Sequence, residues 1–153
     1  SIILFLTNLY GPKDHFDPMS ATVIPALIHK ISSAKKQNDK SISIWGDGTP
    51  TRDFLYVQDA VRGLMLAAEK YDEGLPINLG SDQETTINEL VNLISKITGF
   101  KGQIKWDKSK PNGQPRRKVS NKLAEEKLGF KADTILEEGL QKTIEWFQKH
   151  IPK

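Results

Sequence analysis

The sequence predicts an α/β or α+β chain in which short strands and helices alternate. Three observations carry that expectation. An unbroken apolar run, Ile2-Ile3-Leu4-Phe5-Leu6, opens the chain like a strand buried on both faces of a parallel sheet. Amphipathic segments with helical spacing recur, several with start and stop residues of their own. Short extended pieces closed by Gly and Pro stand between them. A strand like the first needs neighbours on both sides, so the expectation is that the chain is the back half of something larger. Ser1 in place of Met points the same way.

In order, Asn8-Leu9-Tyr10-Gly11-Pro12 reads as a turn and the polar stretch to Ser20 as a loop. A helix is expected from about Thr22 to Ala34, with Pro25 tolerated in its first turn. The charged run Lys35 to Lys40 reads as a solvated loop, and Ile42 to Trp45 alternates like a strand. Gly46 to Pro50 is a turn, and Phe54 to Val57 is short and extended. Val57, Val61, Leu64 and Ala68 mark the inward stripe of a helix. A strand over Pro76 to Leu79 precedes Thr86-x-x-Glu89, a capping box. The helix it opens has Ile87, Leu90, Val91, Ile94 and Ile97 on one face, and Gly99 stops it. Gln103 to Trp106 is a strand, and Lys108 to Lys118 is a loop. Ser120 caps a short helix ending at Gly129. Thr134-x-x-Glu137 reads as a second box opening a last helix, with Leu136, Leu140, Ile144 and Phe147 inward and a stop at His150-Ile151-Pro152-Lys153.

Composition narrows function. The 153 residues carry 22 Lys and Arg against 19 Asp and Glu, a net +3. That charge is too small and dispersed for a nucleic-acid track. With no Cys, a disulfide scaffold, a Cys-based zinc site and a thiol nucleophile are excluded, and a reducing cytoplasm is the expected setting. No apolar run approaches the length of a membrane span. Neither a dinucleotide nor a Walker glycine pattern occurs, because Gly46-Asp47-Gly48 lacks a third glycine and a helix behind it. Of the three His, His29 and His150 read as surface or packing residues. His15, beside Asp14 and Asp17, is the better candidate for a functional role.

Two clusters invite chemistry. In Trp45 to Phe54 a strand ends on an indole that offers a stacking face, turns through two glycines that let a ligand approach, and returns with Arg52-Asp53. Arg52 supplies a fork matched to phosphate. The plain alternative is a hairpin with a surface ion pair. In Lys110 to Lys118 two prolines stiffen a loop that ends in three adjacent cations. This arrangement suits clamping a polyphosphate, and a solvated basic loop is the plain alternative. Two Arg-bearing loops in so short a chain point to a diphosphate-bearing ligand.

At these residues the chain resembles the C-terminal half of the extended short-chain dehydrogenase/reductase family, the NAD-dependent epimerase/dehydratase group. The resemblance runs through Asn8 to Pro12, Val23 to Ile28, Trp45 to Asp59, Ile77 to Gly80 and the Lys110 to Arg117 loop. Within it the GDP-L-fucose synthase branch is nearest. The resemblance implies the end of a Rossmann sheet plus a small substrate-binding domain. Residues 1–153 would be the nucleotide-sugar-binding part, with the N-terminal NAD(P)-binding domain, its Gly-rich loop and its Tyr-x-x-x-Lys pair absent from the chain. NADP(H) or NAD(H) would serve the parent protein. The partner would be a nucleotide-diphosphate sugar, GDP-linked by preference. The parent would be a homodimer, and the chain alone would be inactive. The alternatives are another nucleotide-sugar 4-epimerase or dehydratase, or a binding module without catalysis.

Position by position, the resemblance puts Asn8 near sugar and nicotinamide. Val23, Leu27 and Lys30 would line the nucleotide pocket, and Trp45 and Gly46 would touch the nucleotide. Arg52 and Arg117 would hold the diphosphate. Asn112 stands where relatives have Asp, at a ribose contact. Thr22 stands where the branch has an acid His, and a Thr hydroxyl titrates too high to exchange protons near neutrality.

Overall fold

The computed structural model describes residues 1–151, so the predicted stop at Pro152 lies outside the described residues. The elements in chain order are β1 (Leu4–Leu6), β2 (Asn8–Tyr10), α1 (Val23–Gln37), β3 (Ser41–Trp45), β4 (Thr51–Arg52), β5 (Phe54–Tyr56) and α2 (Val57–Lys70). There follow β6 (Ile77–Leu79), β7 (Thr85–Thr86), α3 (Ile87–Thr98), β8 (Gln103–Asp107), β9 (Arg116–Arg117), α4 (Lys122–Leu128) and α5 (Leu136–His150). Three parallel pairs, β1 with β6, β2 with β5 and β3 with β8, accompany a small mixed sheet in the order β7-β4-β9. The alternation of strands and helices is the predicted class.

Two cores share one strand. Phe54 and Tyr56 of β5 face a core built from α1, β3, α3 and α5, where Ile28, Ile31, Leu90, Ile94 and Leu140 are fully buried. Leu55, between them, faces a second core with Ile77, Leu79, Leu128 and Phe130. Alternation along a strand sends successive side chains to opposite sides. This places β5 at the seam between the two cores. The Arg52-Asp53 step lies directly ahead of that seam.

α3 follows its sequence closely. Thr86 Oγ1 accepts from the Glu89 N–H at 3.1 Å, the Glu89 carboxylate accepts from the Thr86 N–H at 2.8 Å, and Gly99 closes the helix in the left-handed region.

Several expectations are corrected. β1 spans three residues and pairs with β6 along one edge, and Phe5 is 56% exposed, so this strand is not buried on both faces. Asn8 to Tyr10 is not a turn but a strand beside β5, because Asn8, Leu9 and Tyr10 register with Phe54, Leu55 and Tyr56. α1 runs through Lys35 and Lys36 to Gln37 before Asn38 ends it in the left-handed region, since cations suit the last turn of a helix. No hairpin joins β3 to β4, because the partner of β3 is β8. The cap of α4 is Asn121 rather than Ser120. The second capping box does not form: the Thr134 N–H goes to Asp59 Oδ2 at 3.0 Å, and α5 starts two residues later behind Ile135.

The inward face of α2 differs most. Val61 and Leu64 of the predicted stripe are exposed, and Asp59, Ala60, Gly63 and Ala67 are buried instead. Small residues let this helix approach β6 and Phe130 closely. A Cβ on Gly63 would lie 2.7 Å from Leu79 Cδ1 and 3.1 Å from the Phe130 ring. Asp59, at the helix start, accepts from Arg62 Nη2 at 3.0 Å and from the N–H groups of Asp133 and Thr134. Burial raises its carboxyl, and these donors together bring it below the ordinary range.

The packing face of α2 can be tested directly. Gly63→Val is expected to destabilise the chain by about 1–3 kcal/mol through overpacking. Leu64→Gln, one residue on, is expected to change stability by no more than about 0.5 kcal/mol. Urea unfolding of both variants checks this, and the reverse order would restore the sequence-derived stripe.

Candidate functional site

A cavity of about 970 Å³ opens between α1, β3 and the Pro111–Asn112 loop. Val23, Leu27 and Lys30 line it from one face of α1, as their i, i+4, i+7 spacing requires. Trp45, Arg52 and Asn112 line the opposite side. Six positions singled out from sequence therefore face one hollow. Ser33, Gln37, Asp39 and Ser41 also line it. Sequence reasoning missed these four, although Ser33 and Gln37 continue the α1 stripe by the same helical step.

The turn after Trp45 and the loop after β8 are tied together. Asn112 Oδ1 accepts from the Asp47 N–H at 2.8 Å, and the Gly46 N–H donates to Asp107 O at 3.0 Å. Gly46 sits at φ +85°, and a Cβ there would collide with Asn112 Oδ1. Its glycine thus serves the loop junction. Lys110 Nζ stands 5.8 Å from the ring centre of Trp45, which is 68% exposed. Thr49 donates its N–H and hydroxyl to Asp47 Oδ1 at 2.9 and 2.6 Å. Those bonds hold the Asp47 carboxyl down at about 2.

The arginines are sorted by strand geometry. β4 and β9 run parallel, with Thr51 beside Arg116 and Arg52 beside Arg117. Register neighbours in a parallel pair present their side chains to the same face, and successive residues alternate. Arg116 and Thr51 converge on Glu84: Arg116 Nε donates to Oε1 at 2.7 Å, Nη2 to Oε2 at 2.9 Å, and Thr51 Oγ1 to Oε1 at 2.5 Å. Arg52 and Arg117 fall together on the other face. Neither is in an ion pair among the described residues. Arg52 Nη1 donates to the carbonyls of Thr51 and Gln114, both at 2.7 Å, which fixes the guanidinium against the second loop. Arg117 flanks Arg52 without lining the cavity.

Other expected residues lie elsewhere. Asn8 is outside the cavity, its Nδ2 donating to Asp53 O at 2.9 Å. Thr22 is the exposed N-cap of α1, with no side-chain cap bond. His15 Nε2 is 2.6 Å from Ser20 Oγ and away from the cavity. His29, read as a surface or packing residue, meets the Phe147 ring edge-on at 5.8 Å and also lines the cavity. The surface Arg52–Asp53 pair is not formed. Asp53 is fully buried, and its Oδ1 accepts from the Ser81 N–H and hydroxyl at 2.8 and 2.6 Å. Burial pushes that carboxyl up, and the Ser81 donors pull it partly back.

Residues 1–80 match the NAD dependent epimerase/dehydratase family. The chain belongs to that family. It is 45% identical over 145 residues to a GDP-L-fucose synthase of Sinorhizobium fredii, covering 95% of this chain and 46% of that protein. The crystal structure of a GDP-L-fucose synthetase from Naegleria fowleri bound to NADP superimposes with a TM-score of 0.88 at 32% identity, over 97% of this chain and 46% of the other. UDP-glucose 4-epimerase from Thermotoga maritima, solved with UDP-glucose, gives a TM-score of 0.84 at 32% identity, over 99% and 47%. The chain thus spans about half the length of the family members it matches. β5 passes straight into α2 without a glycine turn, and Asn8, the expected cofactor contact, donates to the Asp53 carbonyl. Among the described residues no helix is long and apolar enough to cross a membrane.

The Glu84 junction carries a pH signature. Hydrogen bonds from Arg116 and Thr51 lower its carboxyl to about 2 from an ordinary 4.5. A depressed carboxyl contributes stability that is present above its unfolded value and lost as pH falls toward the folded one. Stability is therefore expected to drop between pH 4.5 and 2, and Glu84→Gln to flatten that slope. Thermal melts across this window check it; parallel slopes in both proteins would contradict the pairing.

Proposed function

We propose that this chain is the nucleotide-sugar-binding part of an NAD(P)-dependent epimerase/reductase acting on a GDP-linked sugar. One observation carries the reading: Trp45, Arg52 and Asn112 border the same cavity as Val23, Leu27 and Lys30, with Arg117 beside Arg52 on its face of the sheet. A diphosphate carries the paired anionic oxygens that two adjacent guanidinium groups match. The apolar wall of α1 and the indole supply the surface against which a nucleoside packs. The likeness to the GDP-L-fucose synthase of Sinorhizobium fredii supports the choice of GDP.

Arg52 and Arg117 clamp the pyrophosphate, and Lys30 adds a third cation from α1. Nicotinamide chemistry is supplied by residues beyond this chain, where the cofactor is held. Thr22 is not an acid at neutral pH, so the proton chemistry of the sugar falls to other groups. A second reading, a UDP-sugar epimerase, is favoured by the likeness to the Thermotoga maritima enzyme and by Thr22.

Titration calorimetry tests the proposal. The chain is expected to bind GDP more tightly than UDP, and Arg52→Ala is expected to weaken GDP about tenfold or more. Preference for UDP would select the second reading. Equal binding by the Arg52 variant would refute the diphosphate clamp. The chain alone is expected to oxidise or reduce no nicotinamide cofactor with a GDP-sugar, and measurable turnover would contradict the division of labour.

A further inference from the structure

Asp53 is bonded to the surroundings of three candidate binding residues at once. Its carbonyl accepts from Asn8 Nδ2 at 2.9 Å and from Thr7 Oγ1 at 3.0 Å. Its N–H donates to the carbonyl of Arg117 at 3.1 Å. Arg52 precedes it in the chain. Its side chain turns the other way, into the protein, where Ser81 supplies two donors to Oδ1. Oδ2 is buried and has no hydrogen-bond partner.

Space for that carboxyl is built by the chain around it. A Cβ on Gly80 would collide with Asp53 Oδ2. The Gly80 peptide is itself clamped by Asn121, whose Oδ1 accepts from the Gly80 N–H at 2.7 Å and whose Nδ2 donates to the Gly80 carbonyl at 2.6 Å. A buried carboxyl with one oxygen unpaired destabilises the chain on its own account. An apolar residue at the seam of two cores would avoid that penalty. What the carboxyl supplies is an anchor: two hydrogen bonds from Ser81 restrain the Asp53 side chain and, through it, the peptide at residues 52 and 53.

We propose that Asp53 is a positioning residue of the nucleotide-sugar site, its carboxyl anchored on Ser81 so that the one peptide segment sets Arg52, Arg117 and Asn8 relative to one another. The proposal rests on the diphosphate reading above. Asp53 touches no ligand and acts through the three residues its backbone holds. Asp53→Asn retains the shape of the side chain and the Oδ1 acceptor but exchanges a carboxyl for a neutral amide with its NH₂ group beside Gly80, so the bonds from Ser81 weaken. Ser81→Ala leaves the carboxyl and the Ser81 N–H in place and removes one donor.

The test uses the 153-residue chain and GDP as the probe. GDP affinity is read by calorimetry, and the Asn8 side-chain amide and the Arg52 and Arg117 Nε–H signals by NMR. In Asp53→Asn, affinity is expected to fall about tenfold and all three signals to move before any ligand is added. Ser81→Ala is expected to show the same changes with about a threefold loss, and it decides the matter if Asp53→Asn does not fold. In an Arg117→Ala background the further loss from Asp53→Asn is expected to shrink, because one of the groups it positions is gone. Unchanged GDP affinity and unmoved signals in a folded Ser81→Ala chain would overturn the proposal, and so would a full, additive loss in the Arg117 background. Failure of the unsubstituted chain to bind GDP would overturn the diphosphate reading and the proposal with it. GDP binding lost in Arg52→Ala but untouched in Asp53→Asn would overturn the proposal alone.

Discussion

The parallel pairing of β4 with β9 is the constraint on which the site depends. Two residues on each strand suffice, because strand alternation assigns the four side chains without further instruction. Thr51 and Arg116 go to one face, where Glu84 holds them. Arg52 and Arg117 go to the other, beside the cavity and without a carboxylate partner among the described residues. A slip of one residue would exchange the arginine paired with Glu84 for the one without a carboxylate partner among the described residues. The register is held from three directions: the Thr51 and Asp53 N–H groups bond to Pro115 and Arg117, Arg52 Nη1 reaches the Gln114 carbonyl, and Asn112 closes the loop onto Asp47.

Behind that small sheet stands β5, which belongs to both cores. Its side chains alternate between them, so neither core can shift without dragging the strand. The segment ahead of it inherits that rigidity, and Asp53 transmits it to Asn8 and Arg117 through backbone hydrogen bonds. Burial of a carboxylate beside Ser81 is a local cost within this scheme. The site is thus rigid at its strand end and lined by a helix stripe on its open side. That arrangement suits a ligand with a charged centre and an apolar end.

Much of this was legible in the sequence where local chemistry decides the outcome. The Thr86–Glu89 box, the Gly99 and Gly129 stops and the α3 stripe all follow from neighbours within one or two turns. The Gly46–Pro50 turn and the loop from Lys108 to Pro115 were legible because Gly and Pro have strong local preferences, whereas the strand pairing of Arg116 and Arg117, expected as loop, was not. Long-range pairing was not. Asn8 to Tyr10 is a strand only because β5 lies beside it, and Thr134 fails as a cap because Asp59, 75 residues away, takes its N–H. The α2 face misled because Gly63 and Ala60 pack by being small, a quality that hydrophobic spacing does not register. Asp53 looked like the partner of Arg52 since they are adjacent, yet alternation along an extended chain sends them to opposite sides. Arg116 and Arg117 are alike in local chemistry; only the resemblance pointed to Arg117, and register puts Arg116 on Glu84 instead.

The position of a bound diphosphate decides whether Arg52 and Arg117 form a clamp. A crystal structure of the 153-residue chain grown with GDP measures this most directly. Both phosphates are expected within hydrogen-bond distance of the Arg52 and Arg117 guanidinium groups, with the nucleoside against Val23, Leu27 and the Trp45 ring. Phosphates bound away from that arginine pair, or a GDP-bound chain whose cavity beside Trp45 is empty, would contradict it.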